Sequence, residues 1–456
     1  MSESIGNTGK GMKLHTKILL GLLVGAVLGI SANTMLGGNS PFVTGVNKYL
    51  AGPVGQIFLR MLFMIVIPLV FASISLGVAG LGDLKRVGRV GAKAIGYFLV
   101  STALAATLGL VVVSIVRPGE RIPEATRAEL MHTYSTDASS KVEAAATSDF
   151  GVQTVVNIVP RNPVKSAADL DMLGIIFFGM IFGAALTMIT AERAKPMLGF
   201  LEALNDIVIK IVAIAMRIAP YGVAALIFGV TSRFGFDVVR LLGWYVTAVI
   251  GSLLLHVLIN LSAILRFLVG ISPWKFFSRV KSALITAFST SSSSATLPTA
   301  IATAEGNLGI PSQIAGFVLP LGSTMCMNGT ALFEGITVIT LAQAFGVHLG
   351  LGKMIAVMVM SVITAVGAAG VPGGSIPLLV GVLVMFGVPA EAIAIVLGVD
   401  RILDMSRTTV NVCGDLSATA WVAKAEGVWN ASMVPATEGL DRRKLDESPN
   451  WPAPQV

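Results

Sequence analysis

Apolar residues in this chain come in long uncharged runs, and that pattern sets the first expectation. A helix needs about 20 predominantly apolar residues to cross a hydrocarbon core. Runs of that order occupy 94–116, 172–191 and 241–265, and 57–81 qualifies despite Arg60 near its start. The run 18–30 follows Lys10, Lys13 and Lys17 as a signal peptide would, but no A-x-A-like cleavage site comes after it, so it reads as a retained first helix. Lys210 and Arg217 interrupt a further stretch, 196–232, where charges are tolerable if they face protein or an interface. Six spans are therefore expected up to residue 265. Short-loop Lys and Arg set their orientation. Lys85, Arg86, Arg89 and Lys93, then Arg193 and Lys195, then Arg266, Lys275, Arg279 and Lys281 all fall on one side, against Lys48 alone in 31–52. The N-terminus is expected to be cytoplasmic.

Composition agrees with a lipid solvent. Of 456 residues 54% are hydrophobic and 12% charged, whereas a soluble domain is about 25% charged. The formal net charge of +7 is spread over the ends of apolar runs with no basic stripe, which argues against nucleic acid as a partner. Cys326 and Cys413 lie in apolar surroundings, with no spacing that implies a disulfide framework or a metal site. Residues 118–169 form a polar insertion rich in Ala, Ser and charge.

After Lys281 the pattern changes. Two stretches, 289–298 (STSSSSATLP) and 367–377 (GAAGVPGGSIP), put dense small and polar residues between apolar helical sequence, as at the tip of a re-entrant hairpin. Irregular backbone at membrane depth is tolerated only where it is buried in protein or lines a cavity, and a pair of such breaks marks a transporter's binding site. A third break, 319–330 (LPLGSTMCMNGT), would free carbonyl oxygens suited to Na⁺, with Thr324, Asn328 and Thr330 supplying further oxygens.

The last apolar segment carries the densest chemistry. Asp400, Asp404, Arg407, Asn411 and Asp415 are spaced four, three, four and four, which places them within an arc of roughly 80° on one helix face. Such a stripe cannot face lipid. Arg407 offers a planar fork for a carboxylate, Asp404 a fixed charge for an ammonium and Asn411 an amide for a second carboxylate, a set that implies an acidic amino acid. The competing reading is structural, with Arg407 neutralised by Asp404 or Asp400. Glu334, four residues after Thr330, is a proton-carrier candidate, because desolvation disfavours the charged form of an isolated carboxyl. His256 is a lone His, more often a packing residue.

At these residues the sequence resembles the glutamate transporter family of dicarboxylate and amino acid:cation symporters, from about residue 18 to 424. The marks are 291–298, the Asn-Gly-Thr at 328–330, the Gly-Val-Pro-Gly at 370–373, and 404–415 (DMSRTTVNVCGD). The resemblance implies an all-α polytopic membrane protein with eight transmembrane helices and two re-entrant helical hairpins, divided into scaffold and transport domains, in a homotrimer of a bacterial inner membrane. It further implies scaffold helices in 12–81 and 170–232, transport parts in 82–117 and 273–425, a sixth helix in 237–269, an extracellular insertion at 118–169 and a cytoplasmic tail at 426–456. The implied substrate contacts are Ser293, Thr330, Val371, Asp404, Arg407, Thr408 and Asn411, with 370–375 as outer gate. Implied sodium ligands lie at Gly322, Thr324, Cys326, Ala365, Ala368, Asn411 and Asp415, and the implied proton carrier is Glu334. No permanently bound cofactor is expected, only co-transported Na⁺ and/or H⁺.

Two departures bear on coupling. Where the family has Asn-Met-Asp-Gly-Thr, this chain has Cys326-Met-Asn-Gly-Thr, so a thiol and a neutral amide replace two oxygen ligands beside Ser101 and Thr102. The Arg that some members carry at the Ser-rich tip is Ser291 here, with Arg401 positioned to serve instead. A C4-dicarboxylate symporter is the nearest alternative, disfavoured because Asp404 would repel a substrate lacking an ammonium. A substrate-gated anion channel or sensor is a second alternative. A hydrolase using Ser293 and His256 lacks a nucleophile-elbow pattern.

Overall fold

The structure is a computed structural model, described for residues 14–87, 89–124, 126, 128, 159–168, 172–366, 368 and 370–434. Most of the expected insertion 118–169, and the expected tail beyond Val434, lie outside the described residues. All regular structure among the described residues is helical. Five helical stretches there have the length and apolarity to cross a membrane: Thr16–Leu36, Arg89–Arg121, Ala191–Phe234, Phe236–Val269 and Ser312–Ala344.

The first half begins with α1 (Leu14–Leu36), α2 (Gly52–Phe63) and α3 (Val66–Val87). It continues with α4 (Arg89–Val116), α5 (Met172–Met188), α6 (Ala191–Phe234) and α7 (Phe236–Leu255). The run 57–81 does not form one continuous helix. It breaks at Met64 and Ile65, because Pro68 has no N–H to return to the Met64 carbonyl. The sixth span exceeds its expected 241–265, since α7 continues through two π-helical segments, His256–Leu261 and Ile264–Val269. α1 packs along α6 at Gly21 and Gly25, where a methyl group would come within 2.3 Å of the Pro220 and Ala224 carbonyl oxygens. Small residues four apart let two membrane helices approach this closely. α6 holds 44 residues, about 66 Å and roughly twice a hydrocarbon core. Lys210 and Arg217 are exposed on it, and that length lets both heads reach an interface.

The second half is organised around α14 (Ile393–Ala425), which is buried along almost its whole length. Packed on it are α8 (Pro273–Thr290), α9 (Ser293–Gly306), α10 (Ser312–Met325) and α11 (Asn328–Ala344), together with α4 and α7. α12 (Leu351–Val366) and α13 (Ile376–Met385) form a further helical pair, α12 lying against α4 and α11. The Ser-rich run reverses the chain between α8 and α9 within two residues. Ser291 closes α8 with a left-handed φ of 52°, and Ser292 caps α9, its Oγ accepting from Ala295 N at 3.0 Å. A serine hydroxyl supplies the acceptor that the free N–H groups of a new helix need. Between α12 and α13, Gly374 N donates to Val371 O and Ile376 N to Gly373 O, with Gly373 at φ +73°.

Candidate functional site

The charged stripe of α14 is buried, as its membrane depth requires. Asp400, Asp404, Arg407, Asn411 and Asp415 all face the interior. Arg407, 2% exposed, donates from Nη1 to Asp400 Oδ1 at 2.9 Å and from Nη2 to Asp404 Oδ1 at 2.8 Å. Its Cζ lies 4.1 Å from the centroid of the Phe333 ring. The intrahelical pairing weighed from sequence is thus present, with both aspartates rather than one. Asp404 Oδ2 also accepts from Gly373 N at 3.1 Å and lies 3.6 Å from Arg401 Nη1. Asp404 therefore ties the 370–375 turn to α14.

Asn411 spans a different gap. Its Oδ1 accepts from Gly329 N at 2.7 Å and Thr330 N at 3.4 Å, so it caps α11 from a position 82 residues away. The first N–H groups of a helix lack intrahelical partners, and the break at Cys326 and Met327 exposes them to this amide. Asn411 Nδ2 donates to Thr330 Oγ1 at 3.0 Å and to Met327 Sδ at 3.1 Å.

The two tips meet. Ser292 Oγ donates to Gly370 O at 2.6 Å, and Ser294 N donates to the same oxygen at 3.1 Å. Gly370 is needed for the approach, since a methyl there would fall 2.8 Å from both Ser294 Oγ and Ser323 O. The tips, the α10–α11 break and α14 enclose a cavity of about 20 Å³, room for roughly one water. Ser293, Thr330, Val371, Asp404, Arg407, Thr408 and Asn411 all line it, with Ser291, Met327, Ala368, Gly370 and Ser375 completing the wall. α6 reaches the second tip at one point, with Met216 Sδ 3.7 Å from where a Gly373 Cβ would be.

The residues expected to hold cations divide into two groups. Asp415 Oδ1 is buried without a hydrogen-bond partner, and a methyl on Gly322 would lie 2.8 Å from it. An uncompensated carboxylate oxygen beside a helix-terminal carbonyl suits a small hard cation. Gly322 O meanwhile accepts from Cys326 N, and Ala365 O from Ala368 N, each with a lone pair to spare. The Thr324 side chain is exposed, its Oγ1 donating back to Leu321 O. Around Asn328 the arrangement differs: Nδ2 donates to Ser101 Oγ at 2.7 Å, and Oδ1 accepts from Thr102 Oγ1 at 2.8 Å. These groups satisfy one another, and an amide NH₂ stands where a cation would need an oxygen, so they do not fit Na⁺ as they stand.

Glu334 is fully buried on α11, apart from the cavity wall. Its Oε2 accepts from Thr364 Oγ1 at 2.6 Å, and its Oε1 has no partner. His256 Nδ1 pairs with Asn260 Nδ2 at 3.1 Å and faces none of these groups through a hydrogen bond among the described residues.

Sequence reasoning missed Phe333, Met327 and Ser292. Phe333 had a legible signal, since it follows Thr330 by three and so shares its helix face. Ser292 had none, because four adjacent serines are alike until the fold chooses one.

Buried charge and three broken helical segments around one cavity in an apolar helical protein define the class of secondary transporters. The chain belongs to the sodium:dicarboxylate symporter family, whose sequence model matches residues 14–425. It is 36% identical to the proton/sodium-glutamate symport protein of Bacillus subtilis (strain 168), over 92% of this chain and 94% of that one. It is 35% identical to the proton/glutamate-aspartate symporter of Escherichia coli (strain K12), over 94% of this chain and 97% of that one. The C4-dicarboxylate transport protein of Bacillus subtilis (strain 168) is 32% identical over 86% of this chain and 91% of its own.

Proposed function

We propose that this protein is a symporter of acidic amino acids, glutamate or aspartate, driven by an inward proton and/or sodium gradient. The observation that carries the reading is the single cavity lined by Ser293, Thr330, Val371, Asp404, Arg407, Thr408 and Asn411, which gathers a guanidinium, a carboxylate, an amide and hydroxyls at one point. A substrate carboxylate would take the fork of Arg407, displacing Asp400 or Asp404 from one of its arms, and the ammonium would sit on the Asp404 carboxylate so released. The relatives that carry glutamate in their names support it.

Room for one water cannot hold an amino acid, so loading requires a tip to swing out. The 370–375 turn is the proposed gate, held by Gly373 N on Asp404 and by Gly370 O on Ser292 and Ser294, contacts that a substrate ammonium on Asp404 would rearrange. Met216 of α6 stands beside this turn at Gly373, and the gate is proposed to open when the turn has moved relative to α6. That is the sliding of a transport part, α4 with α7 to α14, past a scaffold of α1, α2, α3, α5 and α6. We assign eight transmembrane helices, with α8–α9 and α12–α13 as the re-entrant hairpins, a homotrimer, and a bacterial inner membrane with the N-terminus cytoplasmic.

For coupling, Asp415 with the carbonyls near Gly322, Cys326, Ala365, Ala368 and Asn411 is the proposed Na⁺ site, Thr324 contributing its backbone only. Asn328 with Ser101 and Thr102 replaces a second one by a neutral hydrogen-bonded network. Glu334 is the proposed proton carrier. As a carboxylate it would be buried with one oxygen bare and no cation paired to it among the described residues. As an acid it donates to Thr364 Oγ1, which donates onward to Met360 O at 2.8 Å.

Uptake of labelled L-aspartate into proteoliposomes, under a Na⁺ gradient or a proton gradient at clamped potential, tests the whole reading. Accumulation under a proton gradient is expected, and accumulation under neither would overturn it. The C4-dicarboxylate alternative has a named relative in its favour. Competition by succinate as strong as that by aspartate would establish it, since Asp404 in the cavity wall repels a ligand with no ammonium.

A further inference from the structure

A second cavity, of about 450 Å³, lies away from the substrate site. It opens where α2 with the residues just before it, the C-terminal end of α6 and the entry to α14 converge. Arg60 and Arg233 project into it with Glu391 and Asn47, between the apolar walls of Leu226 and Val230. It runs into a shallower groove that shares Arg60 and adds Lys48. Two arginines thus share the cavity with one carboxylate, and Lys48 adds a further positive charge in the adjoining groove.

Arg60 is exposed at the cavity mouth and Arg233 half-buried in its wall, unlike the buried arginines of α14. Arg407 and Arg401 sit on aspartates, but neither Arg60 nor Arg233 has an ion-pair partner among the described residues. The wall also holds an unanswered acceptor. Asn47 is 6% exposed, its Nδ2 donates to Ser232 Oγ at 3.0 Å, and its Oδ1 has no partner.

The geometry points to a phospholipid site here, taking a phosphodiester headgroup that carries free hydroxyls. The phosphodiester would bridge Arg60 and Arg233, whose planar forks suit it. The hydroxyls would donate to Glu391 and to Asn47 Oδ1, and an acyl chain would leave along the Leu226 and Val230 wall. The excess of cations requires a net anionic headgroup, which selects phosphatidylglycerol over zwitterionic phosphatidylethanolamine or phosphatidylcholine. Apolar walls at the ends of apolar helices select a lipid over a free phosphate. The lipid would join α2 and α6 to the start of α14, and so restrain movement between them. Its binding is measured without turnover, so it stands or falls apart from the transport reading.

The test is native mass spectrometry of the full chain in detergent, titrated with phosphatidylglycerol or phosphatidylcholine. Phosphatidylglycerol is expected to bind more tightly, and Arg60→Gln and Arg233→Gln each to weaken it about fivefold. Gly229→Leu fills the cavity without touching a charge and is expected to weaken it too. A Cβ at Gly229 meets only Asn47 Oδ1 at 3.5 Å, an ordinary contact, and Gly229 lines the cavity, so this variant is expected to fold, as its melting curve will check, and remains decisive if an arginine variant does not. Equal retention by wild type and the folded variants would overturn the site. Displacement of the lipid by inorganic phosphate or glycerol phosphate at similar concentration would overturn the lipid in favour of a free anion.

Discussion

A guanidinium that is 2% exposed between two aspartates has exchanged water for two charge-assisted hydrogen bonds, and removing it leaves two carboxylates facing each other in an apolar interior. Breaking such a pair costs about 3–5 kcal/mol. Arg407→Ala should therefore lower the thermal midpoint and abolish aspartate binding while leaving neutral amino acids able to bind; unchanged aspartate affinity by calorimetry would exclude Arg407 as the carboxylate anchor. Glu334 and Asp415 are each buried with one bare oxygen, but the oxygens face different surroundings. Glu334→Gln should remove accumulation driven by a proton gradient while exchange of substrate across the vesicle persists. Asp415→Asn should instead remove the Na⁺ dependence of substrate binding, read as loss of the affinity change between Na⁺ and choline buffers.

Among elements, the contact between the two tips carries the greatest mechanical consequence. Ser292 and Ser294 both hold the Gly370 carbonyl, and the space beside Gly370 is filled by Ser323 O, a backbone atom that cannot rotate aside. Gly370→Ala should part the tips, with an overpacking cost of about 1–3 kcal/mol. The expected readout is a lower melting temperature together with weaker aspartate binding, and a melting curve identical to wild type would mean that the tips do not rely on this contact. The break between α10 and α11 belongs to the same scale. It frees the N–H groups of Gly329 and Thr330, and Asn411 answers them from α14, so the irregular backbone is paid for by a side chain 82 residues away.

At the scale of the whole molecule, the end of α14 is fastened to the start of α4. Glu426 accepts from Arg89 Nη2 at 2.7 Å and lies 2.8 Å from Lys93 Nζ. Burial works to raise its pKa, but hydrogen bonds and charge from Arg89 and Lys93 outweigh it and hold the carboxyl below its ordinary range. A carboxylate shifted down on folding contributes stability above its unfolded value, and that contribution disappears as pH falls through the folded one. Glu426→Gln should thus melt earlier than wild type at pH 7, and the gap should close below about pH 4. A gap independent of pH would mean that the pair is only a packing contact.

Much of this organisation was legible in the residues. The lipid solvent follows from apolar run length, and the stripe on α14 follows from spacings of four, three, four and four, because both depend only on local backbone geometry. The same applies to the three breaks, where Gly, Pro and Ser interrupt the helical pattern. Partnership was not legible, because it depends on how distant segments pack. Arg407 taking both aspartates, the Ser292 hydroxyl rather than those of its neighbours reaching Gly370, Asn328 joining Ser101 and Thr102, and Arg60 sharing a cavity with Arg233 were decided by tertiary structure. A buried polar group must find a partner wherever the fold brings one, and helical periodicity names the face it will search from but not the residue it will find.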